Sequence, residues 1–224
     1  MIRRSRRYHM LICSLPALPA RFDAGRLPIS PERLQDRLRM LEPEDAQEIR
    51  NLLELLAWST RFAETTDAAV VARYGELMRR LTHPLVREVA VAVVDARMVV
   101  TALRRRRQGL GPPTVGMGQW FAHLRRHFAD PDFKLTHAFP RLPELRRLLD
   151  DGDAVGFHRG LLAGTWAYLR KRADEHYFTF EAVVLYVARW ELMHHWQQLE
   201  AGRGRAIFEA LVTEALGEHA NVYA

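Results

Sequence analysis

Apolar residues recur along most of the chain at steps of three and four, the spacing of one face of an α-helix. The clearest run lies between Pro84 and Gln108, where Val86, Val89, Val93, Ala96, Val100 and Leu103 form one continuous stripe. A helix of about 25 residues would extend roughly 37 Å at 1.5 Å per residue. Pro84 suits a first helical position and Gly109 a stop. Similar punctuation marks other starts. Ser30-Pro31-Glu32 reads as cap, proline and first-turn acid, opening a helix to Met40. Pro43-Glu44-Asp45 opens a second, to Trp58, and Thr66-Asp67 a third, to Leu81. Further helices are expected over 119–128, from Pro143-Glu144, over 153–175, and from Thr179-Phe180-Glu181 to Glu200. The last carries two stripes, Phe180, Val183, Val184 and Val187 on one and Leu185, Ala188, Leu192, Trp196 and Leu199 on the other. A helix apolar on two faces lies between layers. Gly202 and Gly204 predict an interruption before a final helix over 205–216.

The N-terminus breaks this pattern. Arg3, Arg4, Arg6 and Arg7 precede the apolar run Met10 to Leu15, and Ala-Leu-Pro-Ala follows at 17–20. The arrangement looks like a secretory signal, but its apolar part is shorter than the usual ~7–15 residues. Pro16 and Pro19 would also break a helical signal. The run is therefore read as a buried β-strand from Tyr8 to Ser14, with Cys13 as a buried thiol, followed by a loop over 16–30. One cysteine permits no internal disulfide. No apolar run approaches the ~18 residues of a membrane span. The expected organisation is a basic tail at 1–7, an N-terminal helical lobe at 8–111 and a C-terminal helical lobe at 112–224. One continuous domain is the alternative. The glycines at 109, 111, 116 and 118 read as a hinge. A shift of 93 places Asp95…Gly109 on Ala188…Gly202, a faint echo of one long helix in the other.

Composition adds a charge bias. Of 224 residues, 48% are hydrophobic and 27% charged, enough to build a core. The net charge is +6, and Lys134 and Lys171 are the only lysines. Arginine favours bidentate contacts with carboxylates and phosphates. With 27 acidic residues interspersed, an acidic protein partner is expected ahead of nucleic acid. Arg104, Arg105, Arg106 and Arg107 fall in the last turn of the long helix, where cations oppose the negative end of the helix dipole. They read either as a helix terminus or as a partner-binding patch.

Candidate chemistry is sparse. Glu191 and His194 have the i, i+3 spacing used in di-iron bundles, but no second Glu-x-x-His exists. His123 and His127 share a helix face without an acid to complete a metal site. The other histidines, including His83 and His158, are expected at the solvent edge. There is no Gly-x-Ser-x-Gly elbow and no phosphate loop ending in lysine. Neither a catalytic site, a cofactor nor a small-molecule substrate is expected.

Ordered segments resemble a bacterial family of unassigned function associated with V-type ATPases. They are Tyr8-His9-Met10-Leu11, Ser14-Leu15-Pro16, Phe22-Asp23, Leu27-Pro28-Ile29-Ser30, Leu41-Glu42-Pro43-Glu44-Asp45, Gly109-Leu110-Gly111-Pro112-Pro113, and Phe180-Glu181 through Arg189-Trp190. More remotely, Asp95, Val99, Thr101, Leu103, Arg104 and Gly109 are spaced as in a helix motif of the V-type ATPase C subunit, known as d in eukaryotes. Met98 stands where that motif has asparagine. The resemblance implies a nearly all-α fold of two lobes like those of the C subunit, with a short N-terminal strand. It implies a non-catalytic adaptor linking the central stalk to the proteolipid ring at the cytoplasmic membrane face. Its partners would be other subunits of that ATPase, and its membrane contact would be indirect.

Overall fold

The computed structural model describes residues 7–57 and 67–219, and the chain is helical as its periodicity predicts. The helices are α1 (His9–Ser14), α2 (Pro31–Leu38), α3 (Pro43–Ala57), α4 (Asp67–Arg80), α5 (Pro84–Arg107), α6 (Phe121–Arg126), α7 (Leu142–Asp150), α8 (Ala154–Ala173) and α9 (Phe180–His219). Thr66 and the arginines at 3, 4 and 6 lie outside the described residues. No described helix is long and apolar enough to cross a membrane.

Local chemistry sets the boundaries. Ser30 Oγ accepts the Arg33 N–H at 3.3 Å and Pro31 follows it, so α2 begins there. Asp153 Oδ1 accepts the Gly156 N–H at 2.8 Å and starts α8. At the end of α5 the Leu110 N–H bonds to Arg105 O (2.8 Å) and the Gly109 N–H to Arg106 O (2.9 Å). Gly109 has φ +70°, so this is a Schellman terminus that uses glycine's access to left-handed backbone.

Three expectations need correction. Tyr8 to Ser14 is not a strand: Arg7 makes an isolated bridge to Thr179, and the chain turns at once into α1. A strand needs a neighbour, and among the described residues there is no sheet. Burial instead follows the helical step from Tyr8 to Leu11, while Met10 is 81% exposed. The Tyr8 hydroxyl donates to Asp45 Oδ2 (2.6 Å) and accepts the Glu42 N–H (3.2 Å), anchoring α1 on α3. Cys13 follows the same turn outward and is exposed. Finally, Gly202 does not break α9, which runs on to His219. An internal glycine costs a helix about 1 kcal/mol relative to alanine, and flanking Ala201, Arg203, Arg205 and Ala206 favour helix.

The core is organised around α5. Its first half contributes Leu85, Val86, Val89, Ala90 and Val94 to a cluster with α1, α3, α4, the end of α8 and the start of α9. Its second half contributes Met98, Val99, Val100, Ala102 and Leu103 to another, with Leu124 of α6, Phe133, α7 and Phe157. Residues 16–30 cross the outside of α8 and α9, seating Phe22 and Ile29 beside Trp166 and Trp190. Three buried ring donors fix that crossing: Tyr186 to Pro16 O, Trp166 to Ala20 O and Trp190 to Ile29 O, at 2.9–3.0 Å. Donors drawn this far out of water need partners, and the passing carbonyls supply them.

Candidate interaction surfaces along α5

The arginine run at the end of α5 divides by direction. Arg105 Nε donates to Gly111 O at 2.8 Å, holding the exit loop on the helix end. Arg106 donates to the carbonyls of Asp130 (2.6 Å) and Pro131 (2.9 Å), and its guanidinium lies 5.5 Å from the centre of the Phe133 ring. This arginine therefore supports an irregular stretch in which Phe133 and Lys134 adopt positive φ. Arg104 and Arg107 are exposed, and Arg104 points into a groove. Two of the four side chains thus serve the fold, and two are available to a partner.

The other motif positions on α5 are mostly core. Val99 and Leu103 are buried, Thr101 is exposed, and Gly109 is the terminus described above. Asp95 is 1% exposed. Its Oδ1 accepts the Trp120 N–H at 3.3 Å, at the start of α6. Burial raises the Asp95 carboxyl above its ordinary range, while the N–H groups of Gln119 and Trp120 and the Gln119 side chain oppose the rise. Gly118, at φ +85°, lies so close that a Cβ there would overlap Asp95 Oδ1, and one at Gly116 would overlap Phe121 and Met98. Half of the glycines read as a hinge are therefore close-packed against α5. Asp95 closes this loop onto the helix.

The groove that receives Arg104 runs between α5, α8 and α9 and encloses about 690 Å3. Val89, Val93 and Ala96 form one wall, Leu161, Leu162 and Leu169 another, and Ala188 and Leu192 a third. Set into these walls are Arg97, His158, His195 and Glu191. Arg97 donates to Leu56 O at 3.3 Å, and burial lowers its pKa to about 10. Among the described residues no carboxylate pairs with it. The His158 and His195 rings lie 5.4 Å apart. Burial holds His158 below the ordinary imidazole range, helped by His195 and Arg104; burial does the same to His195, helped by Arg97 and His194. His158 Nε2 and Trp196 Nε1 are buried without a hydrogen-bond partner. Burial pushes the Glu191 carboxyl up, against a weaker opposing pull from His194.

Glu191 and His194 do share this groove, but His194 Nε2 accepts the Gln198 amide at 2.9 Å. Among the described residues no group of three or more His, Cys, Asp or Glu side chains is placed to hold a metal ion. His123 Nε2 donates to Phe133 O (2.9 Å), and its ring lies 4.4 Å from that of His127. The solvent-edge expectation is corrected for His83, which is buried with Nε2 3.4 Å from Glu181, and for His158. Sequence reasoning passed over Arg97. Its signal was available: one charge four residues after Val93 and three before Val100, inside an otherwise apolar stripe.

Among the described residues, fold and surfaces together define a helical protein built on one central helix with a groove on its flank. The chain belongs to the family described as a protein of unknown function (DUF2764), which it matches over residues 70–218. No curated protein and no solved structure matches it.

Proposed function

We propose that this protein is a non-catalytic adaptor of a bacterial V-type rotary ATPase, similar to that enzyme's C subunit and linking the central stalk to the proteolipid ring on the cytoplasmic side. The observation that carries the reading is α5. The segment that resembles the C-subunit motif forms one stiff helix whose buried positions serve two clusters at once. Such a helix transmits force between the surfaces at its ends without reacting. Its partners would be stalk and ring subunits, met through Arg104 and Arg107, the two arginines of the run that the fold leaves exposed.

Nucleic acid fits less well, because much of the basic excess is spent inside the molecule. Arg73 pairs with Glu54 and Glu76, Arg146 with Asp132, Arg159 with Asp23 and Arg172 with Glu88. Asp23 is lowered to about 2, first through its bond from Arg21 and, after the opposing effect of burial, through Arg159. Arginines bound in this way form no continuous phosphate track.

Affinity purification from the native host tests the proposal. The wild-type chain is expected to bring stalk and ring subunits with it. The double variant Arg104→Glu/Arg107→Glu is expected to lose them while keeping its helical circular dichroism. Recovery of no ATPase subunit with the wild-type protein refutes the adaptor reading. Undiminished recovery with the double variant refutes the assignment of these two residues.

A further inference from the structure

We propose that the groove between α5, α8 and α9 binds a single-chain amphiphile, its anionic head at Arg97, His158 and His195 and its apolar chain along the aliphatic walls. The inference stands apart from the adaptor reading, since either can fail without the other.

The head site follows from what the protein leaves unpaired. Arg97 is half-buried, and a guanidinium drawn out of water into apolar walls is normally matched by a carboxylate. Arg97 has one backbone carbonyl, and the acids described around it pair elsewhere or not at all. Two further ring nitrogens, the Trp196 Nε1 donor and His158 Nε2, which donates in one tautomer and whenever the ring is protonated, end in the same region with nothing to bond. A carboxylate or phosphate would accept from several of these at once. Glu191 and Glu200 also face the groove and oppose an anion. Glu191 opposes it less than its formal charge suggests, because burial favours its neutral form.

The tail site follows from shape. Val89 and Arg104 stand 15 residues apart on α5, so the groove extends about 22 Å along that helix. A groove of that length lined mainly by aliphatic side chains suits an extended hydrocarbon chain. His158 Nε2 and Trp196 Nε1 are both buried, so the polar end of the site lies beneath the surface rather than across the mouth.

The test is calorimetric titration of the full chain with sodium laurate, n-dodecyl phosphate and neutral dodecanol, each below its aggregation limit. Saturable one-to-one binding of laurate or dodecyl phosphate is expected, and the tighter of the two identifies the head chemistry. Dodecanol is expected to bind at least tenfold more weakly. Arg97→Met should weaken the anionic probes tenfold or more while leaving dodecanol unchanged, and Arg97→Lys should restore part of the loss. Absence of saturable binding by both anionic probes overturns the proposal. So does equal binding of laurate and dodecanol, a result that needs no variant. Capture of a synthetic acidic amphipathic helix when neither anionic probe binds would assign the groove to a protein partner instead.

Discussion

Asp95 and Arg97 stand two positions apart on α5 and, as i and i+2 on a helix must, face opposite ways. Both are charges set in apolar surroundings, and each lines its own groove. Asp95 faces a cavity of about 610 Å3 against α7 and α8, and Arg97 the one of about 690 Å3 against α8 and α9. The protein treats them differently. Around Asp95 it builds a cradle: the Trp120 N–H, the Gln119 groups and a glycine that leaves room for the carboxylate. For Arg97 it supplies one carbonyl. Asp95 Oδ1 is thus held by the loop, while Oδ2 has no hydrogen-bond partner. A charge that clasps the chain's own loop belongs to the architecture; one that meets a single carbonyl in a cleft is a candidate for function.

Removing the cradle should separate the two charges most sharply. Gly118→Ala places a methyl on the Asp95 carboxylate at a backbone angle that L-residues rarely adopt. Strain and displacement together should cost on the order of 3 kcal/mol in chemical denaturation. Gly111→Ala, in the same loop but with nothing within 4 Å and no positive φ, should change stability by less than about 0.5 kcal/mol. If both variants match the wild type, the loop is not held through Asp95 and the distinction between the two charges collapses.

The same pair shows how much was legible in advance. The long helix from Pro84 was readable because stripe, N-terminal proline and stop glycine agreed. The Arg104–Arg107 run was visible as a cluster, but not its division, since Arg105 and Arg106 reach carbonyls of loops whose paths no local pattern encodes. Asp95 entered through a resemblance, and its role as a loop clasp depends on Gly118 and Trp120, more than twenty residues away. The N-terminal strand failed for a related reason. Six apolar residues fit a strand or a helical turn equally well, and the decision fell to Tyr8, whose hydroxyl finds Asp45 across 37 residues. His158 and His195 meet only because α8 and α9 pack side by side.

Direct substitution of the two charges should give the next largest effect. Asp95→Leu removes the acceptor of a buried N–H, a loss of about 2 kcal/mol. Arg97→Met keeps length and apolar contact while deleting a desolvated cation, so its stability should stay within about 1 kcal/mol of wild type or rise. Urea denaturation at pH 7.5 measures both. An Arg97→Met loss as large as that of Asp95→Leu would mean that Arg97 is structural after all, and the groove would lose its strongest claim to a ligand.

The smallest effect is a pH dependence confined to one groove. The ordinary imidazole value is 6.5, and both His158 and His195 lie below it in the folded protein. As pH falls through 6.5, the unfolded chain therefore gains protons that the folded chain resists, and stability declines until the folded-state values are passed. The facing groups act within known limits. Arg97 stays charged throughout, and His194 adds to the depression of His195. Glu191 works in the opposite sense. Its folded-state value is raised, so its contribution is full below 4.5 and is lost as pH rises through the folded value. Asp95 behaves likewise, on the other flank, above 3.8. Denaturation midpoints should thus fall from pH 7.5 toward 5.5; below that, the lowered carboxyl of Asp23 loses stability while Glu191 and Asp95 gain it. His158→Gln/His195→Gln should flatten this first limb, and Arg97→Met should shrink it, because the Arg97 charge helps depress His195. Asp95→Leu should leave the first limb unchanged. If Asp95→Leu reshapes the first limb as strongly as Arg97→Met, the two flanks of α5 are electrostatically coupled, and the two charges cannot be assigned separate roles.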